Sequence, residues 1–256
     1  MPSPRVVLEI TGGLAHIRFV NPSRHNAMDL QFCNELADAA TRCSTADGLK
    51  AVLLAAEGDV FCVGGDIREF VDNRERLHEH VLASAAQFHV AVTRLHRLRA
   101  PLIVAVNGTA AGGGFSMVCA ADFAIAKRSA KLNPAYTRSG LTPDGGGTWF
   151  LPRIVGLRKA FEIFATNPTL SADVACSLGI VSRVLDDAIF DAAVAMLARQ
   201  IEEAPAGVLC ALKSLMRKSL EASLEEQLGA EAASIAAQAE LPETQRLLAA
   251  FLGKGR

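Results

Sequence analysis

Apolar positions along this chain fall into two rhythms. Short aliphatic runs, Ala51-Val52-Leu53-Leu54-Ala55 and Pro101-Leu102-Ile103-Val104-Ala105-Val106, are bounded by turn residues and read as buried strands. Phe123-Ala124-Ile125-Ala126 is a further one, and Val6 to Ile10 and Leu14 to Val20 flank Thr11-Gly12-Gly13 as a β-hairpin. Between them the period changes. From Asp29 to Ser44, Leu30, Cys33, Leu36, Ala37 and Ala40 recur at helical spacing, and Asp29 fits an N-cap. A long helical stretch follows from roughly Arg74 to Arg99.

This alternation predicts an α/β fold with parallel crossovers up to about residue 195. Beyond it only helix formers remain. Val208 to Leu220, Ser223 to Ala239 and Glu243 to Leu252 read as helices, with Pro205 and Pro242 where helices begin. The chain is therefore divided into a core domain, 1–195, and a helical region, 196–256. An alanine-rich amphipathic appendage usually packs on another surface, so oligomerisation is expected.

Composition narrows the function classes. Half of the 256 residues are apolar, enough for a sizeable core, and the net charge is −1 with both signs interspersed. That balance argues against a broad nucleic-acid surface, which needs many cations to displace counterions. No apolar stretch reaches the roughly 18 residues of a membrane span, and the first residues lack a signal-peptide core; a soluble cytoplasmic protein is expected. Cys33, Cys43, Cys62, Cys119, Cys176 and Cys210 show no CxxC spacing, so reduced, structural thiols and no metal are expected.

The chemistry concentrates in three glycine clusters. Phe61-Cys62-Val63-Gly64-Gly65-Asp66-Ile67 and Asn107-Gly108-Thr109-Ala110-Ala111-Gly112-Gly113-Gly114-Phe115 each come after one of the apolar runs, a strand, glycine turn, helix plan. Such turns leave free backbone N–H groups at the start of the next helix, where the dipole favours negative charge. Two of them converging would form an oxyanion hole. The third, Gly140-Leu141-Thr142-Pro143-Asp144-Gly145-Gly146-Gly147-Thr148-Trp149, offers one carboxylate beside an apolar segment. Pro-Asp-Gly is first of all a turn signal, but beside the other two clusters Asp144 becomes the candidate acid/base.

Together with Asn21-Pro22-Ser23-Arg24-His25-Asn26-Ala27-Met28 near the start, and Leu170-Ser171-Ala172 and Leu178-Gly179-Ile180-Val181 within Gly156 to Val184, these clusters resemble the enoyl-CoA hydratase/isomerase (crotonase) superfamily. The likeness covers nearly the whole chain. It implies a ClpP-like spiral of repeated β-β-α turns, C-terminal helices that form trimers or hexamers, and acyl-CoA thioester substrates, with coenzyme A part of the substrate and no separate cofactor. It implies that the N–H groups of Gly65 and Gly113 hold the thioester oxygen. It also implies that Arg24, Ala27, Val63, Gly64, Asp66, Ile67, Arg68, Gly112, Ser116, Ala135, Pro143 and Lys254 surround the thioester and its CoA.

One departure is informative. Where the hydratases of this family carry two glutamates, this chain has Ser116 and Ala135. Water addition needs a base for the water and an acid for the α-carbon, so a two-glutamate hydratase is disfavoured. Asp144 instead falls where the family's delta-isomerases and dienoyl-CoA isomerases keep one acidic residue, and the full string to Arg153 looks most like the 1,2-epoxyphenylacetyl-CoA isomerase branch of phenylacetate catabolism. One carboxylate plus an oxyanion hole suffices for a double-bond shift. The alternatives are a hydratase-type lyase with an atypical site and a catalytically weak CoA-binding or assembly member.

Plainer roles compete at several positions. Asp66 is expected to cap the helix beginning near Ile67. Ser116 lacks a nucleophile elbow and is expected only to line the pocket. Arg24, Arg68 and Lys254 are candidates for the CoA phosphates against ordinary surface salt bridges. Trp149 and Phe150 suit either an acyl tunnel or the core. His78, His80, His89 and His96 are read as solvated helix residues and given no chemistry.

Overall fold

The computed structural model describes residues 3–205 and 207–253. The chain opens with the hairpin β1 (Val6–Thr11) and β2 (Leu14–Phe19), closed by Gly12-Gly13 with Thr11 opposite Leu14. Then comes α1 (Leu30–Thr45), whose first turn is capped by Asp29 accepting the Phe32 N–H at 2.7 Å. Next are β3 (Ala51–Ala56), β4 (Val60–Cys62), α2 (Ile67–Asp72) and the long α3 (Leu77–Arg97). The pattern repeats as β5 (Leu102–Val106), β6 (Thr109–Ala111) and α4 (Gly113–Ala120), and again starts with β7 (Phe123–Lys127) and β8 (Lys131–Asn133).

Each long strand is thus followed by a short one, and the two kinds sort into different sheets. With β10 (Arg183–Leu185), the long strands form a six-stranded sheet in the order β1-β2-β3-β5-β7-β10, parallel from β2 onward. The short ones, with β9 (Leu170–Ser171), form a second sheet, β4-β6-β8-β9. This corrects one expectation. The glycine clusters follow the short strands β4 and β6, not the aliphatic runs, and parallel pairing of Cys62 with Ala110 sets the two turns side by side.

The first sheet is covered on both faces, which is why its strands read as unbroken apolar runs. Along β3 and β5, Val52, Leu54, Leu102, Val104 and Val106 point into a core shared with α1 and α3, while Ala51, Leu53, Ile103 and Ala105 point to the other side. That second side is closed by α8 (Phe190–Glu202) through Phe190, Val194, Leu197, Ala198 and Ile201, reached after α5 (Gly147–Val155), α6 (Leu157–Thr166) and α7 (Ala172–Ser177). The division expected at residue 195 therefore falls inside a core helix. The extended helical region begins after it, as α9 (Val208–Lys218), α10 (Leu224–Ala239) with its Ser223/Glu226 capping box, and α11 (Pro242–Gly253).

In the main core Phe19, Phe32 and Phe61 pack at ring-centroid distances of 4.7 and 5.4 Å, so truncating any of them costs about 3–5 kcal/mol. Lys213 of α9 is buried, pairs with Asp122 and donates to the Ala100 carbonyl at 2.8 Å, tying the helical region to the core.

Candidate active site

The two glycine turns touch. A Cβ on Gly64, whose φ is +84°, would lie 3.0 Å from the Ala111 carbonyl and 3.1 Å from both Gly112 Cα and the Gly113 nitrogen. Only glycine permits that approach at that φ. Gly112 also has positive φ, +53°, and starts α4, leaving the Gly113 N–H without an intrahelical acceptor. Gly65 is held from the other side, where Met28 donates to the Gly64 carbonyl at 2.8 Å and accepts from Asp66 at 3.1 Å. Among the described residues neither the Gly65 nor the Gly113 N–H has a hydrogen-bond partner. Both glycines line one cavity of about 340 Å³.

The stretch Asn21 to Met28 explains itself structurally. His25 and Asn26 both adopt left-handed backbone, φ 53° and 52°. The fully buried Asn26 side chain accepts from Asn21 N and donates to the carbonyls of Glu57 and Val60, clamping this turn against β4. Met28 is thereby delivered to the cavity wall, 2.8 Å from where a Cβ on Gly113 would sit.

Asp144 lines the same cavity, with about a third of its side-chain surface exposed. Desolvation raises its pKa above the usual carboxylate value, opposed chiefly by a hydrogen bond from Tyr136. The Tyr136 hydroxyl donates to Asp144 Oδ1 at 2.7 Å. Ser116 Oγ donates to the Asp144 backbone carbonyl at 2.9 Å and lies 2.9 Å from the Tyr136 hydroxyl. On the opposite side His89 Nε2 accepts the Gly145 N–H at 3.1 Å and stands 3.9 Å from Asp144 Oδ2. Accepting at Nε2 puts the proton of the neutral imidazole on Nδ1.

The cavity gathers Val63, Gly65, Ile67, Gly112, Gly113, Ala135 and Asp144 of the residues singled out in the sequence. Others stand elsewhere. Gly64, Ala27 and Pro143 are not among the residues that line it. Asp66 is buried, caps α2 through the Arg68 N–H at 3.0 Å and pairs with Arg24 at 2.5 Å. Its carboxylate is spent on structure, and so is much of the Arg24 guanidinium. Arg68 is exposed with no ion-pair partner among the described residues; Lys254 lies outside them.

Ser116 corrects its reading: fully buried, it lies beneath the Asp144 turn instead of lining the pocket. A Cβ on Gly147 would come within 2.7 Å of its Oγ, so the glycine-rich turn and the small residue fit each other. Trp149 and Phe150 do not line the cavity. Phe150 is core, and half-exposed Trp149 packs against His96 and carries Arg153 over its ring at 3.9 Å.

His89 and Tyr136 are the functional candidates missed in the sequence. No local pattern marks His89, 55 residues before Asp144. Tyr136, the chain's one tyrosine, follows Ala135, whose φ is +61°, and its hydroxyl meets Asp144 only in the folded chain. A larger cleft of about 930 Å³ between α1, α3 and the α8–α9 connection reaches His89 but neither Asp144 nor the two free N–H groups. The smaller cavity is the one with convergent chemistry. It pairs fixed donors for a developing oxyanion with one carboxylate able to exchange a proton.

Comparison with known proteins identifies the family. Residues 9–256 match the family model described as Enoyl-CoA hydratase/isomerase. A 4-chlorobenzoyl coenzyme A dehalogenase of an Arthrobacter species is 34% identical, covering 97% of this chain and 91% of that protein. The 1,2-epoxyphenylacetyl-CoA isomerase of Escherichia coli is 30% identical, covering 88% and 87%. The crystal structure of an enoyl-CoA hydratase from a Polaromonas species superimposes with a TM-score of 0.89 at 28% identity, over 97% of each chain. The chain, with its two glycine turns and mixed parallel sheets, belongs to the enoyl-CoA hydratase/isomerase family of the crotonase superfamily.

Proposed function

We propose that this enzyme binds an acyl-CoA thioester, polarises its carbonyl with the Gly65 and Gly113 N–H groups, and uses Asp144 alone to shift a double bond. The carrying observation is that Asp144 is the one carboxylate lining the cavity among the described residues. Removal of an α-proton makes an enolate, which two preorganised donors stabilise without reorganising. Desolvation makes the Asp144 carboxylate a better base and its acid a longer-lived proton store. Coenzyme A enters and leaves as part of the substrate, with exposed Arg68 a candidate for its phosphates, and no separate cofactor is invoked.

A second reading is hydrolytic substitution on an aromatic acyl-CoA, with Asp144 as nucleophile and His89 assisting water. It is favoured by the proximity of His89 and by the dehalogenase relatives. The occupied Nε2 lone pair weighs against it, because that nitrogen already accepts from Gly145. Product analysis by NMR with 3-enoyl-CoA, 2-enoyl-CoA and 4-chlorobenzoyl-CoA separates the readings. Interconversion of the two enoyl isomers supports the isomerase; chloride and 4-hydroxybenzoyl-CoA support substitution; 3-hydroxyacyl-CoA would point to an atypical hydratase.

Homo-oligomerisation belongs to the same proposal. Leu157 and Phe161 on α6, and Met216, Ile235 and Phe251 on the C-terminal helices, are each more than 60% exposed. Apolar surface of that extent suits burial between copies, as in a trimer or hexamer.

A further inference from the structure

We infer that Tyr136, braced by Ser116, is a positioning residue that reserves Oδ1 of Asp144 as an acceptor, so that the proton taken from substrate resides on Oδ2 and is handed back. The inference rests on the isomerase reading for its catalytic consequence, and on geometry alone for the carboxylate's state.

Each carboxylate oxygen has a different neighbour. Oδ1 receives the Tyr136 O–H at 2.7 Å, within the range of a charge-assisted bond. Oδ2 is the oxygen on the His89 side, and the imidazole at 3.9 Å is too far to bond it. The tyrosine is held in turn. Its hydroxyl meets Ser116 Oγ at 2.9 Å, and both residues are buried, Ser116 completely. Ser116 also fixes the Asp144 backbone through the carbonyl that accepts the Gly147 N–H at 3.0 Å. One buried hydroxyl pair therefore grips the catalytic residue at its backbone and at one side-chain oxygen. A Cβ on Gly145 would lie 3.2 Å from Ser116 Cβ and one on Gly147 2.7 Å from its Oγ, so the turn packs closely over residue 116 and a glutamate there would drive into it.

The consequence follows from counting hydrogens. Tyr136 has one, and the Asp144 carboxylate is its nearest acceptor. In the forward shift the Cα–H bond breaks, the proton goes to Oδ2, and the electron pair moves into a dienolate whose oxygen lies at Gly65 and Gly113. The proton then forms the new Cγ–H bond, leaving a Cα=Cβ double bond and the carboxylate as it began. With one lone pair of Oδ1 engaged by Tyr136, Oδ2 is the favoured site for the proton. The titratable groups facing this carboxylate are Tyr136, His89 from α3 and Cys33 from α1. Burial pushes the Cys33 thiol up to about 12 and raises Tyr136 further, so both stay protonated at neutral pH.

The test uses the full-length protein with Tyr136→Phe and, because that ring is buried, Ser116→Ala as a second variant. Titration of the Asp144 carboxyl by 13C NMR needs no substrate. The inference expects its midpoint to move to higher pH in Tyr136→Phe and, by less, in Ser116→Ala, since each loss weakens stabilisation of the anion. With 3-enoyl-CoA deuterated at Cα in ordinary water, it expects kcat to fall about 10-fold or more in Tyr136→Phe, as for loss of a bond to a charged group. The fraction of label recovered at Cγ should fall with it. An unmoved or lowered midpoint overturns the inference, and so does unchanged label retention at a reduced kcat. If wild type does not isomerise at all, the isomerase reading fails while the titration still decides the role of Tyr136.

Discussion

Gly64 and Gly113 belong to different β-β-α turns, yet a single methyl group on Gly64 would stand 3.1 Å from the Gly113 nitrogen. The proposed oxyanion pair is thus set by backbone packing between β4 and β6. Gly64→Ala must both relieve this overlap and leave a φ of +84°, a region L-residues avoid at about 1–2 kcal/mol. Steady-state kinetics should show kcat falling about 10²–10³-fold, the usual effect of losing one oxyanion donor. Activity within a few-fold of wild type would mean the two N–H groups do not act together.

Asp144, the proposed acid/base, links activity to stability. Its folded-state pKa is raised, so the native state binds a proton more readily than the unfolded chain. Stability therefore falls as pH rises from the ordinary carboxylate value through the raised one, and the penalty persists above it. Asp144→Asn should have a higher melting temperature than wild type at neutral pH, with the gap closing below the ordinary carboxylate value. Wild-type kcat/KM should lose its acid limb at a pH above that ordinary value, because the base form is required. Melting curves and a pH–rate profile check both; a variant less stable at pH 7 would contradict the desolvation argument.

His89 separates the two chemistries. It accepts from Gly145 and neighbours Asp144, so His89→Gln, which can still offer an acceptor, should leave double-bond isomerisation within about 10-fold of wild type. Hydrolysis of 4-chlorobenzoyl-CoA, if wild type performs it, should disappear in the same variant. Loss of isomerisation by more than about 10³-fold would assign His89 a direct part in the proton shift.

Much of this architecture was legible in the chain, for local reasons. The strands β3 and β5 are five- or six-residue aliphatic runs covered on both faces, and Asp29 and Asp66 cap helices from adjacent residues. The second sheet was not legible, because β4, β6 and β8 are three residues each, too short for a period; their pairing across the spiral defines them. The core role of α8 was hidden because an amphipathic helix reads alike whether it faces its own sheet or another subunit. The site divides in the same way. Gly64, Gly112 and Asp144 sit in glycine-rich turns that announce themselves, whereas His89 and Tyr136 meet Asp144 only through tertiary packing. Ser116 was placed on the pocket wall because the depth of a buried small residue is not written in its neighbours.

His96 makes a prediction far from the cavity. Packed against Trp149 and Phe150, with Nδ1 lacking a hydrogen-bond partner among the described residues, it has its pKa lowered to about 4, chiefly by burial and then by Arg217. The unfolded chain takes up its proton near 6.5, so stability is lost as pH falls from there toward 4. His96→Leu should flatten the decline in melting temperature across that window relative to wild type. Parallel declines would show that the ring is accessible to protons in the native state.

The central claim is that Asp144 carries a proton between two carbons of one enoyl-CoA. It is tested most directly by 1H NMR in deuterated water with 3-enoyl-CoA, comparing wild type with Asp144→Asn. The account predicts conversion to 2-enoyl-CoA by wild type without 3-hydroxyacyl product, and a rate at least about 10²-fold lower in the variant. Undiminished conversion by Asp144→Asn would contradict it.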